Sequence, residues 1–240
     1  MTYRKHLQRQ SSPRVLVSRL TSLAVLIAAV SFASSSTLAN GSSENHITQL
    51  KRAVVIITTY DAQGKALLQG SGFFIDVDQV VTSLHVIKDA NQIRLETFSG
   101  TTATVQSIVA INKETDLALL RLEQPCPDIA ILPLVSTPPH EGEAVMLVSS
   151  PQGSRWKVTR GNVGLLWEFS GFRTRLQITA AIAPGSSGGP VVNEQGEVIA
   201  IAALFMHSVD DLNFAVPVAS LRNLQAQANH NVAKLKVITN

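Results

Sequence analysis

Cysteine is almost missing from this chain: Cys126 stands alone among 240 residues. A single thiol excludes an internal disulfide and rules out a metal site built on paired thiolates, so the fold must rest on its core. Charge is sparse at 15% and aromatics sparser at 5%, while apolar residues make up 45%. That balance supplies a real core and excludes intrinsic disorder. Long apolar runs are also scarce. The longest, residues 20–33, has about 14 residues, short of the roughly 20 that cross a bilayer.

That run follows Arg4, Lys5, Arg9, Arg14 and Arg19 and precedes small polar residues. Basic flank, short apolar stretch and small residues in this order read as a secretory signal peptide over residues 1–39, with cleavage after Ala33 or Ala39; an uncleaved anchor is the competing reading. Five of the 20 basic side chains lie in this leader and all 17 acidic ones lie beyond it, leaving 15 against 17, a net of −2. The nominally basic pI therefore says nothing about nucleic acid. No basic stretch with interleaved aromatics remains, so no nucleic-acid partner is expected, and no stable membrane span. Export without disulfides suits a bacterial envelope, periplasmic or secreted.

Residues 40–46 are polar and read as a flexible lead-in, and residues 47–59 as a short helix or strand. From Arg52 to Leu134, short β-branched runs (AVVIITT, GSGFFID, QVVTSLHVI, QIRLET, TATVQSIVAI, LALLRL) alternate with Gly, Asp, Asn and Lys clusters. Such spacing predicts an all-β barrel over residues 47–134. Five prolines between Glu123 and His140 break the pattern and predict a connector, with the linker proper at residues 135–143. A second β-rich half begins at Ala144 and runs to the end, residues 144–240, closing in a short helix over residues 219–228 with Leu221 and Leu224 on its packed side. The expected fold is therefore all-β: two barrels plus a short C-terminal helix.

The segment from Ala183 to Pro190, APGSSGGP, is a glycine-rich turn between apolar strands. Glycines there allow successive N–H groups to point into one small volume, and a serine displayed beside them is placed for attack. With Ser187 as nucleophile, the N–H groups of Gly185 and Ser187 form an oxyanion hole; an ordinary Gly/Ser hairpin would carry the same letters. A serine hydroxyl needs a base, and His85, closing the apolar strand from Gln79, has the strongest context of the six histidines. His6, His46, His140, His207 and His230 lie in flanks, linker or loop. The base needs an acid, and Asp116 stands immediately before the apolar run LALLRL; a solvated turn aspartate is the plainer alternative.

Together these segments resemble the high-temperature-requirement (HtrA-like) trypsin-type serine proteases. Gly70-Ser-Gly-Phe73 is similar to that family's glycine-rich strand, and Val81-Thr-Ser-Leu-His-Val86 to its histidine motif. Thr115-Asp-Leu-Ala-Leu119 resembles the aspartate motif, Pro184-Gly-Ser-Ser-Gly-Gly-Pro190 the serine motif, and Asn213-Phe-Ala-Val-Pro217 a later strand. The resemblance covers residues 51–221 and implies a chymotrypsin-like double barrel with the cleft between its halves. It implies His85, Asp116 and Ser187 as a catalytic triad acting on polypeptides, unfolded or extended, with no metal or organic cofactor. Two departures are Ser186 and Ser83, where the family commonly has asparagine. No segment resembling the PDZ module of many members follows, so capture of substrate through one is not implied, and a homo-oligomer is left open.

Ala181, six residues before Ser187, is expected near the base of the primary specificity pocket and offers no carboxylate. With Ile201, Ala202 and Ala203 beside it, small or medium aliphatic side chains are expected before the cleaved bond, and the substrate is expected to add a strand along Ile201–Ala203. The segment from Pro151 to Gly164 is the expected counterpart of the family's activation loop, so a latent resting state is one expectation. The alternative of another class is a non-catalytic, chaperone-like binding protein on the same fold. An α/β esterase would need a strand–elbow–helix setting that the β-rich surroundings do not supply.

Overall fold

The computed structural model describes residues 44–152, 154–169, 173–203 and 212–238. The expected leader, the first residues of the lead-in and His207 lie outside the described residues. Residues 44–52 form helix α1, and a strand starts at Val54, so the stretch read as helix or strand contains both. The first barrel comprises β1 (Val54–Tyr60), β2 (Ala66–Asp76), β3 (Gln79–Ser83), β4 (Gln92–Thr97), β5 (Thr102–Asn112) and β6 (Leu117–Leu122), closed in the order β1-β2-β3-β6-β5-β4. A single helical turn, α2 (Leu84–Ile87), follows β3.

The second barrel is built from β7 (Ala144–Ser149), β8 (Lys157–Phe169), β9 (Arg173–Ile178), β10 (Pro190–Val192), β11 (Val198–Ala203) and β12 (Asn213–Pro217), closed as β10-β11-β12-β9-β8-β7. All pairings are antiparallel among the described strands. Between the barrels the connector contributes only an isolated bridge, Leu134 to Val198. Its five prolines lack the N–H that a ladder requires.

The continuous apolar runs of the first barrel have a simple cause. Side chains alternate across a strand, and here both faces are buried. Val55, Ile57, Phe74, Val80, Ala118 and Leu120 fill the inside of the first barrel. Their neighbours Val54, Phe73, Val81, Leu117 and Leu119 join the core of the second barrel, packing in one cluster with Val148, Val191 and Ile201. Each fully buried Phe or Leu contributes roughly 1.5–3 kcal/mol, so this shared layer favours one fixed arrangement of the barrels over independent motion. Strand β11 (VIAIAA) is buried at every position for the same reason.

Helix α3 (Val218–Ile238) is longer than the sequence pattern indicated, 21 residues where the apolar spacing was legible over about ten. Val218, Leu221, Leu224 and Ala228 are buried on its one apolar face, which packs on β11 and β12 and also on β5 and β6 of the first barrel. Arg222 donates from Nη2 to the carbonyls of Leu134 and Val135, tying the connector to this helix. Cys126 is buried in the first barrel, and desolvation pushes its thiol above the usual range. Among the described residues no helix is long and apolar enough to cross a membrane.

Candidate active site

His85 does not close strand β3, which ends at Ser83; it is the second residue of the one-turn helix α2. The first N–H groups of any helix lack an intrahelical acceptor, and here the turn before β6 provides them. The N–H of Leu84 donates to the carbonyl of Asp116 at 2.9 Å, and the N–H of His85 donates to Asp116 Oδ1 at 2.9 Å. That leaves Oδ2 facing His85 Nδ1 at 2.5 Å. A carboxylate can only accept, so the imidazole meets it with the N–H at Nδ1.

Asp116 adopts φ 62°, a left-handed conformation that Asp and Asn tolerate better than other side chains. Surrounding bonds hold it there. Asn112 Oδ1 accepts the N–H groups of Glu114 and Thr115 at 2.9 and 3.0 Å. From the second barrel, Arg175, only 2% exposed, donates from Nη2 to the Glu114 carbonyl at 3.4 Å and from Nη1 to the Thr174 carbonyl at 2.9 Å. Nothing in the sequence RTRLQI marks this arginine as buried.

The glycine-rich turn after β9 lies against this assembly. Ser71 N–H donates to the Ser187 carbonyl at 2.9 Å, and Gly188 N–H donates to the Ala202 carbonyl at 2.8 Å. Gly188 has φ 88°, and a Cβ placed there would sit 2.2 Å from the Ser71 carbonyl oxygen and 2.9 Å from the Ser83 nitrogen. The Ser187 turn therefore abuts Ser83, the residue just before helix α2 and two positions before His85. Replacing Gly188 by alanine combines a disallowed φ with a clash against main chain. We expect Gly188→Ala to cost at least about 3 kcal/mol in urea unfolding, with a Tm fall of about 10 °C. A loss under 1 kcal/mol would show that the close approach is not maintained in solution.

Two adjacent serines, both buried, compete for the nucleophile's place. Ser186 Oγ is buried, accepts the Ala183 N–H at 3.3 Å and is bonded to Ser149 Oγ at 3.1 Å. It braces the turn. The amide directions follow from the carbonyls that precede them, because C=O and N–H of one trans peptide point oppositely. The Pro184 carbonyl is held by Gln152 N–H at 2.9 Å and the Ser186 carbonyl by Gly189 N–H at 3.0 Å. These bonds fix the directions of the Gly185 and Ser187 N–H groups. Gly185, at φ 92°, takes a conformation that any side chain would resist.

The remaining expected site residues separate. Ala181 is exposed, its carbonyl accepting from Thr159 Oγ1 at 3.0 Å. Ile201 and Ala202 do not offer a strand edge. Ile201 is paired with Pro190 on one side and Val216 on the other, and Ala202 exchanges both main-chain bonds with Gly188 and Gly189 while pairing with Ala215. Ala203 pairs with Phe214 of β12 and lies past the bonds to Gly188 and Gly189 on its other side; residues 204–211 beyond it lie outside the described residues.

Residues 70–201 match the model of the trypsin-like peptidase domain. Over 169 residues the chain is 35% identical to a probable periplasmic serine endoprotease DegP-like of Pseudomonas putida, covering 66% of this chain and 34% of that protein. It is 27% identical to the anti-sigma-I factor RsgI9 of Acetivibrio thermocellus over 193 residues, 79% of this chain and 27% of that one. The chain thus spans about a quarter to a third of the length of these curated relatives. The serine endoprotease of Yersinia pestis superposes with a TM-score of 0.67 at 26% identity, over 77% of this chain and 65% of that structure. With the double barrel, the order of the motifs and a match over more than half of its length, the chain belongs to the trypsin-like peptidase domain family, among its HtrA-like serine proteases.

Proposed function

We propose that the chain is a serine endopeptidase that cleaves extended polypeptide through Ser187, His85 and Asp116. The observation that carries the reading is the Asp116 carboxylate on His85 Nδ1, next to a turn whose bonded carbonyls aim two amides away from them. In the first step His85 Nε2 takes the proton from Ser187 Oγ as that oxygen attacks the substrate carbonyl carbon. The carbonyl oxygen becomes an oxyanion between the Gly185 and Ser187 N–H groups; one such donor is worth roughly 100- to 1000-fold in rate. Protonated His85 gives its proton to the leaving amine, and the acyl group stays on Ser187. Water then attacks the ester with His85 again as base, and Asp116 stays ionised throughout.

The substrate's extended chain pairs with the second barrel at Ala203, because Ile201 and Ala202 are already bonded within it. Ala181, which brings no carboxylate to the primary specificity pocket, favours small or medium aliphatic side chains before the scissile bond. The periplasmic description of the Pseudomonas relative supports an envelope compartment and, with it, damaged or unfolded envelope proteins as substrates. The test is incubation with a fluorophosphonate probe and with unfolded casein. We expect covalent labelling that maps to the Ser187 peptide and casein cleavage without added metal. Labelling confined to another residue, or none after casein has been cleaved, would remove Ser187 from the mechanism.

A further inference from the structure

The Ser71 hydroxyl occupies an unusual position. It belongs to β2 of the first barrel, yet both of its hydrogen bonds cross to the second. Oγ donates to the Gly185 carbonyl at 2.7 Å and accepts the Ser150 N–H at 2.9 Å. Its own main chain is equally committed: the N–H donates to the Ser187 carbonyl at 2.9 Å and the carbonyl accepts Thr82 Oγ1 at 2.8 Å. Ser71 and Ser150 are fully buried, and Gly185 is buried. Burial keeps bulk solvent away from both bonds.

The two segments joined by this hydroxyl flank the peptide that aims the Gly185 N–H. Ser150 begins the loop that delivers Gln152 N–H to the Pro184 carbonyl, and Ser150 Oγ in turn accepts Trp156 N–H at 3.0 Å. Gly185 ends that same peptide. From this we propose that Ser71 is a positioning residue for the oxyanion hole: its hydroxyl staples the loop at Ser150 to the turn at Gly185 and so holds the Pro184–Gly185 peptide with its N–H aimed into the hole. The proposal deepens the protease reading and rests on it. Ser71 touches neither substrate nor reacting atoms.

Removing the hydroxyl leaves a buried N–H at Ser150 and a buried carbonyl at Gly185 without a partner, which the main chain relieves by rotating. Rotation moves the Gly185 N–H out of line. A donor lost from the oxyanion hole weakens the transition state and not the bound substrate, so kcat falls and KM stays. For Ser71→Ala we expect kcat to fall by roughly 10- to 100-fold with KM within about twofold. A peptide boronate, which forms a tetrahedral adduct on Ser187, should lose affinity by the same factor, while a cleaved product peptide binds unchanged. Hydrogen exchange of residues 149–156 should accelerate in the variant.

Three outcomes overturn the proposal: unchanged kcat and boronate affinity, an equal loss for boronate and product peptide, or unchanged exchange at residues 149–156. If the alanine variant fails to fold, Ser71→Cys keeps the shape with a poor donor, and native kcat and boronate affinity in that variant would overturn it as well. The protease reading fails separately. It falls if the native chain neither labels nor cleaves, and the exchange measurement still tests the hold of Ser71 on the loop.

Discussion

Substituting Ser187 by alanine should abolish fluorophosphonate labelling and lower casein hydrolysis by roughly 10^4-fold or more, with little change in stability. The covalent step has no substitute acceptor. Ser186, one residue earlier, is bonded on both sides, to Ala183 N–H and Ser149 Oγ. Ser186→Ala should therefore keep the label on Ser187 while loosening the turn. Deleting one hydroxyl from Ser187 is a small change in volume, so Tm should stay within a few degrees of native. That separation matters, because a chain-holding activity would survive the same substitution. Ser187→Ala that still suppresses aggregation of an unfolded protein, from a native chain that never cleaves it, would favour the chaperone-like reading. Ser187→Ala that still cleaves would end the nucleophile assignment.

How much of this was legible in the sequence depends on the distance over which each residue acts. The short β-branched runs declared strands, and their lack of alternation follows from Phe73 and Phe74, or Val80 and Val81, facing two different cores. The motifs around His85, Asp116 and Ser187 carried their own spacing. Helix α2 was hidden: four residues, Leu-His-Val-Ile, have neither the length nor the periodicity of a helix, and their first N–H groups are satisfied by Asp116, 31 positions from His85. The strand edge expected along Ile201–Ala203 is taken up at Ile201 and Ala202 for a similar reason. The main-chain bonds of Ala202 go to Gly188 and Gly189, and no property of the string VIAIAA announces that. Ser71 and Arg175 act across the barrel interface, where only the folded chain defines a neighbour.

Asp116→Asn isolates the acid from the backbone that carries it. At φ 62° an alanine would add roughly 1–2 kcal/mol of strain, whereas asparagine is at home there, so the Asn variant should fold normally. The carboxylate serves two donors, His85 N–H at Oδ1 and His85 Nδ1–H at Oδ2. An amide has one oxygen for the two. The main-chain N–H at 2.9 Å cannot turn away, so the amide oxygen stays with it and the NH2 group faces the ring. Two donors cannot meet. The imidazole must give up the proton on Nδ1 and carry it on Nε2, the atom that has to receive the proton of Ser187. Hydrolysis should fall by about 10^4-fold with the substrate's KM nearly unchanged. Nitrogen NMR of labelled histidine should show the ring proton moving from Nδ1 in the native chain to Nε2 in Asp116→Asn. Activity within tenfold of native, or a proton that stays on Nδ1, would mean that Asp116 neither sets the tautomer nor supports the charge on His85, and that the acid of this site lies elsewhere.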